Sequence, residues 1–271
     1  SRCSQNSCVE EYGDFKVDQN IGIDKSFNPA YGFKICFVGD TGVAEGSKRE
    51  KQQLVANALA NENCDEVRIL GDVIYEHGLK SCNHDKDSQY EEKFKNIYQE
   101  IIDQGVPFKL VMGNHDYKSG STCGNPNAWI CMAKRYDYVY FPNFYYAEKQ
   151  QNGLCVISVD TNVAAFAEGG NGWFEYVYKK DSAGQQAWLA NVFNDLQGDC
   201  QLTVAVAHHP LYSPGSGHGD AEGKLKEFIE DHILNNGKVD IDFFIAGHDH
   251  HLSVDERDGT VHVISGSGGK L

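Results

Sequence analysis

Five short stretches of this chain carry side chains able to hold a cation, and each follows an apolar run: Gly39-Asp40, Gly71-Asp72-Val73-Ile74-Tyr75, Gly113-Asn114-His115-Asp116, His208-His209 and Gly247-His248-Asp249-His250-His251. An acid and a phenol three residues apart just past a strand, Asp72 and Tyr75, can grip one cation together. His248 and His250, two residues apart past another apolar run, let two imidazoles project from one turn towards shared cations. Each piece taken singly has a plainer reading. An Asp after a strand is most often a turn former or helix cap, and a lone Tyr is most often a packed aromatic. Asp160, after the run 154–159, keeps that plain reading. The five pieces occur once each and in sequence, and their completeness argues against chance assembly and for a metal site.

Such residues need a frame that brings them to one place. The apolar runs before them, Phe33–Val38, Val67–Leu70, Phe108–Met112, Leu154–Val159, Leu202–Ala207 and Ile241–Ala246, read as buried strands. Helices are expected between them. Ser47-Lys48-Arg49-Glu50 is a capping-box pattern ahead of Leu54, Val55, Ala58 and Leu59, and Ser88-Gln89-Tyr90-Glu91 precedes Phe94, Ile97, Tyr98, Ile101 and Ile102. Helical spacing recurs over 185–197 and 221–234. Strands alternating with helices predict an α/β architecture with the functional groups gathered along the rim at the carboxyl ends of the strands. Residues 1–32 are polar and read as an N-terminal arm pinned by cysteines, with one domain over 33–271.

Composition narrows the class. With 271 residues, 41% of them hydrophobic, and no apolar run approaching 18 residues, the chain reads as a globular protein with ample core and no spanning helix. The formal net charge of −15 opposes binding to duplex nucleic acid. Nine cysteines without a CxxC spacing argue for disulfides rather than structural zinc. Because the number is odd, at least one thiol is expected free or joined to another chain, and Cys36, inside an apolar strand, is the candidate. Cys3/Cys8 and Cys123/Cys131 are near in sequence and are candidate pairs. A start at Ser1 without an apolar leader fits a mature exported form or a trimmed one. No Asn-x-Ser/Thr acceptor is present.

In its motifs the chain resembles the metallophosphoesterases, and within them the small purple acid phosphatases of the tartrate-resistant type, from about Phe33 to its end. The wider superfamily opens with Asp-x-His, whereas Asp40-Thr41-Gly42 lacks that His and Tyr75 is present, as in the purple branch. The resemblance implies a four-layer αββα sandwich. It implies that Asp40, Asp72, Tyr75 and His250 bind Fe(III), that Asp72, Asn114, His208 and His248 bind a divalent iron, zinc or manganese, and that Asp72 bridges the two. Ligand chemistry agrees, because a phenolate and carboxylates suit a trivalent ion while imidazoles and an amide oxygen suit a divalent one. His115 resembles the family's phosphate-contacting His, and His218 a second His after the strand-end ligand; both are expected to contact phosphate and deliver a proton. His218 lies ten residues beyond His208, one more than in relatives, so its reach is open. His209 and His251 are extra neighbours not counted as ligands.

The implied activity is a metal-dependent acid phosphatase that cleaves small phosphate monoesters by metal-hydroxide attack. A purple-phosphatase-like binding or anchoring protein with weak or no turnover, and a phosphodiesterase or nucleotide hydrolase using the same site, are the alternatives. The expected location is a secreted, periplasmic or lysosome-like compartment. Ala167 to Ala183, rich in Gly and aromatics, resembles the loop that overhangs the site in the small purple phosphatases. Relatives continue with further strands after the Ser-Gly-x-Gly turn near Gly268, so a cut or minimal version with an exposed sheet edge is expected.

Overall fold

The computed structural model describes residues 17–26, 32–43, 46–83, 87–117, 125–150, 152–165 and 172–270, with the side chains of Ser47 and of 172–182 outside that description. All six apolar runs form strands. In chain order the strands are β1 (Ile23–Asp24), β2 (Ile35–Val38), β3 (Glu66–Leu70), β4 (Phe108–Val111), β5 (Val139–Tyr140), β6 (Tyr146–Lys149), β7 (Leu154–Ser158), β8 (Leu202–Val206), β9 (Phe243–Ala246), β10 (Leu252–Arg257) and β11 (Thr260–Ser265). The α-helices are α1 (Gly46–Asn61), α2 (Gln99–Asp103), α3 (Asn114–Tyr117), α4 (Asn127–Arg135), α5 (Asn162–Ala165), α6 (Gly172–Leu196) and α7 (Gly223–Ile229).

The strands divide into two sheets. One is parallel throughout, in the order β2-β3-β4-β5. The other runs β1-β6-β7-β8-β9-β11-β10, with β7, β8, β9 and β11 parallel, β6 antiparallel to β7 but parallel to β1, and β10 antiparallel to β11. Alternation along each strand sorts its side chains into two layers. Leu70, Val111, Val156, Val204, Val206 and Ile245 form an apolar cluster contributed by both sheets. Their strand neighbours Val67, Ile69, Phe108, Leu110, Cys155, Ile157 and Ala205 join a second, larger core with helix residues such as Ala56, Phe94, Trp129, Phe193 and Phe228. The result is the expected four-layer αββα sandwich.

Between the sheets also sits a buried ionic quartet. Arg68 meets Glu66 at 2.5 Å and Glu148 at 2.6 Å, and Lys109 meets Glu66 at 2.7 Å and also Glu148. Two cations and two anions cancel, so no net charge is buried.

The helices depart from their expected bounds in two places. The run after Ser88 breaks into a π-helical turn, Glu91–Lys95, followed by α2. The Lys93 carbonyl, which a continuous helix would use, accepts from the Gln52 side chain at 2.9 Å, and the Ile97 carbonyl accepts from Gln53 at 3.2 Å. Likewise α7 gives way to a π-helical turn at Glu230–Leu234. The segment read as an overhanging loop, 167–183, is helical backbone from Gly172 onward, as part of α6. Residues 167–171 and its aromatic side chains lie outside the described residues.

Two cysteine expectations are corrected. Cys36 is not free but is bonded to Cys64, because the pleat turns it towards the helix layer, where the chain leaving α1 brings Cys64 to a Cα distance of 5.9 Å. Cys131 pairs with Cys82 rather than Cys123, since α4 packs beside residue 82. Cys155 pairs with Cys200, and no described cysteine is free. Cys3, Cys8 and Cys123 lie outside the described residues. The larger sheet is edged by β1 on one side and by β10 on the other, where Leu252 and Val254 are exposed.

Candidate metal centre

Parallel strands end on the same side of a sheet, so the residues that follow them share one rim. Asp40 follows β2, Asp72 follows β3, Asn114 opens α3 after β4, His208 follows β8, and His248 and His250 follow β9. Three of these turn inward through left-handed backbone, with φ of 60° at Asp40, 49° at Asp72 and 69° at His248. Non-glycine residues enter that region at a cost, and strain of this kind clusters at functional sites. The close approach behind them demands Gly113, where a Cβ would stand 2.2 Å from both the backbone N and Oδ1 of Asp72.

The structure brings all seven expected ligands together, in two groups. In the first, Tyr75 Oη lies 2.8 Å from Asp40 Oδ1 and 3.2 Å from His250 Nε2, and His250 Nε2 lies 3.5 Å from Asp40 Oδ1. In the second, His208 Nε2 is 3.0 Å from Asn114 Oδ1, 3.2 Å from His248 Nδ1 and 3.4 Å from Asp72 Oδ1, and His248 Nδ1 is 3.1 Å from Asn114 Oδ1. Donors about 2.1 Å from one ion stand about 3.0 Å apart at right angles and about 3.4 Å apart at tetrahedral angles. The separations therefore fit two cation positions. Asp72 adjoins both groups, interacting with the Tyr75 phenol as well as with His208.

Charge supports the same conclusion. Asp40 and Asp72 are fully buried. Burial raises Asp40 above the ordinary carboxylate range, and burial together with the Asp40 and Asp72 carboxylates pushes the Tyr75 phenol far up. Protein groups alone thus oppose a phenolate here, and a multiply charged cation is what these donors lack. The imidazoles are oriented for that task. His208 Nδ1 donates to the Leu70 carbonyl at 2.7 Å, which leaves the Nε2 lone pair facing Asn114 and Asp72. Burial and the neighbouring imidazoles hold His248 well below its ordinary value, in the neutral form a ligand requires.

His115 and His218 stand beside the two groups. The His115 ring packs 4.4 Å from that of Tyr75; its Nδ1 donates to the Glu76 carbonyl at 2.8 Å, and its Nε2 lies 4.0 Å from Asp72. His218 stacks on His248 with ring centroids 4.0 Å apart. One residue passed over in the sequence is Asp116. Its buried carboxylate accepts the amides of Gly113 at 2.9 Å, Val73 at 3.1 Å and Ile74 at 3.3 Å, tying the Asp72 turn to the Asn114 turn. Burial and the Asp72 carboxylate push it up to about 7. Its place in Gly-Asn-His-Asp was the available signal. His209 bonds Thr161 at 2.8 Å, and its nitrogen also lies within 4.8 Å of those of His208 and His248. Asp160 is taken up by Tyr117, Asn162 and Gln185.

Residues 33–252 match the Calcineurin-like phosphoesterase family, and the chain belongs to it. This is a family of metal-dependent phosphoester hydrolases. Within it the chain is 25% identical over 251 residues to tartrate-resistant acid phosphatase type 5 of Sus scrofa, covering 85% of this chain and 68% of that protein. It is 26% identical over 258 residues to purple acid phosphatase 7 of Arabidopsis thaliana, covering 86% and 69%. The chain thus spans about two thirds of the length of these relatives. Among solved structures it is similar to "GAP50 the anchor in the inner membrane complex of Plasmodium", with TM-score 0.62 and 20% identity over 87% of this chain and 72% of that one. It is also similar to a dimetal phosphatase from Danio rerio, with TM-score 0.59 and 12% identity over 88% of each chain. No helix of the described residues is long and apolar enough to cross a membrane, and the three disulfides are consistent with an oxidising compartment.

Proposed function

We propose that this protein is an acid phosphatase of the purple type, hydrolysing small phosphate monoesters at a binuclear centre carried by the domain 33–271, with 1–32 as an arm. Asp40, Asp72, Tyr75 and His250 would hold Fe(III). Asp72, Asn114, His208 and His248 would hold divalent Fe, Zn or Mn. The observation that carries this reading is the phenol of Tyr75, set 2.8 Å from Asp40 and 3.2 Å from His250 beside a separate Asn-His-His group. When bound, the metal pair supplies Lewis acidity that makes a water nucleophilic and offsets the charge of the ester.

The chain's own residues do the rest. Asp40 and Asp116 hold the ligand turns, the first through the His248 amide at 2.8 Å and the second through the amides around Asp72 and Asn114. The His115 Nδ1 proton is committed to the Glu76 carbonyl, so Nε2 is the atom that faces an incoming phosphate and, when protonated, can donate to it. His218, on the exposed side of His248, is the second phosphate contact. The acid–base roles divide between these two imidazoles. The disulfides and the relatives support a secreted or lysosome-like setting.

Metal analysis, a visible spectrum and turnover of an aryl phosphate on the same purified protein test the proposal. Iron with a violet to pink colour, and activity lost on chelation and restored on reloading, are expected. The neighbour described as an anchor shares this fold and keeps open a scaffold that holds a partner instead. Loaded protein without turnover would favour that alternative, and a phospho-enzyme trapped by rapid quench would exclude the proposed nucleophile.

A further inference from the structure

The turn that carries His248 and His250 has a second face. Successive side chains along it point to opposite sides, so His248 and His250 face the proposed metal positions while Asp249 and His251 face the loop 213–218. Asp249 is almost fully buried and meets no Lys or Arg among the described residues. Its Oδ2 accepts from the Ser213 hydroxyl, and its Oδ1 accepts the backbone amide of His218 at 3.0 Å. Ser213 Oγ in turn accepts the Gly215 amide at 3.2 Å. The loop lies so close that a Cβ on Gly215 would stand 2.6 Å from the His251 ring, and one on Gly217 would stand 3.0 Å from Asp249 Oδ1.

His218 itself is exposed, and its ring contacts among the described residues are with imidazoles, stacked on His248 at 4.0 Å and 29° and edge-on to His250 at 6.4 Å. An exposed imidazole on a Gly-rich loop has many orientations available, and fixing one requires a constraint on its backbone. The bond from its amide to a buried carboxylate is that constraint. We propose that Asp249 is a positioning residue: it keys the loop 213–218 to the ligand turn and thereby sets His218 over the site. The one-residue-longer spacing from His208 to His218 is thus accommodated, because the loop is measured from Asp249 rather than from His208.

This inference rests on the reading of the cluster as a phosphatase centre, and the test separates the two. Hydrogen exchange on the metal-loaded protein reports the His218 amide directly. It is expected to be protected in the wild type and in Asp249→Asn, whose side-chain oxygen still accepts, and to exchange at least 10-fold faster in Asp249→Ala. Turnover of an aryl phosphate is expected to fall about 10- to 100-fold in Asp249→Ala with metal content unchanged, and to recover substantially in Asp249→Asn. Adding His218→Ala to Asp249→Ala should cost less than about 3-fold more, because His218 is already misplaced. Losses that multiply, loss of metal from Asp249→Asn, or full turnover in Asp249→Ala with the amide deprotected would each overturn the proposal. If Asp249→Ala does not fold, Ser213→Ala replaces it in the same cycle, with a smaller loss in the same direction. If the loaded wild type hydrolyses nothing, the phosphatase reading fails, and calorimetric binding of inorganic phosphate then decides: about 10-fold weaker binding in Asp249→Ala supports the positioning role, and unchanged binding removes it.

Discussion

Replacing Glu148 by Gln would remove one negative charge from the quartet it forms with Glu66, Arg68 and Lys109 between the two sheets. All four side chains are at most 6% exposed. Burial alone disfavours a charged guanidinium, yet Glu148 and Glu66 hold Arg68 above its ordinary value, so the charge stays. After Glu148→Gln, Arg68 and Lys109 would share Glu66 alone, and one unit of positive charge would be left uncompensated in a dry interface. Breaking such a buried pair costs about 3–5 kcal/mol. At about 2–4 °C per kcal/mol for a domain near this size, the melting temperature should fall by about 10 °C. The site lies at the strand ends away from the proposed metal centre, so metal content at 20 °C should be unchanged. The double variant Lys109→Met/Glu148→Leu restores neutrality, leaving the Arg68–Glu66 pair at 2.5 Å, and should recover at least half of the loss. Scanning calorimetry on metal-loaded protein measures both. A Glu148→Gln protein destabilised by less than about 1 kcal/mol, or a double variant no better than the single one, would refute the quartet as a charge-balanced unit.

Three other outcomes are expected. Tyr75→Phe should bleach the visible band of the iron-loaded protein, because on the proposed reading a tyrosinate donating to Fe(III) would be the source of the colour; a variant that keeps the band would remove Tyr75 from the proposed ligand set. Asn114→Ala or His248→Ala should lower the divalent metal first by mass spectrometric metal counting, whereas His115→Ala should keep both metals and lower turnover by about 10²–10⁴-fold; equal loss of both metals in the first pair would contradict the division into two groups. Peptide mapping under non-reducing conditions should recover the links Cys36–Cys64, Cys82–Cys131 and Cys155–Cys200, and Ser at both positions of a pair should destabilise the fold by about 4 kcal/mol on the chain-entropy account of loops of 28, 49 and 45 residues.

The six strands of the apolar runs, five of which lead into the site, were legible because each is a short apolar run that stops at a polar residue, and that pattern survives in one dimension. The remaining strands were not. β1 and β5 are two residues long, and β6 reads Tyr-Ala-Glu-Lys without clear alternation. The β10–β11 hairpin carried a usable signal that was passed over: Asp258-Gly259 between alternating runs, with φ of 53° and 85° at the two turn positions. The break in the helix at Glu91–Lys95 depends on Gln52, about forty residues earlier, and no local pattern reports it.

For the site, the sequence by itself determined the types and order of the proposed ligands, because they follow five strands in turn and metal chemistry restricts which side chains can serve. Only the tertiary structure decided which of them meet. Strand order puts β2 and β9 in different sheets, yet the packing of those sheets brings Asp40 within reach of His250 across more than two hundred residues. The same packing takes the carboxylate of Gly-Asn-His-Asp, at Asp116, away from the proposed metal positions and onto three amides. It gives Asp249, between two ligands, to the loop behind them. It pairs Cys36 with a partner that the spacing of cysteines could not name. Side-chain identity is a local property, whereas the face a residue presents and the neighbour it finds are set by how layers stack, and stacking is a property of the whole chain.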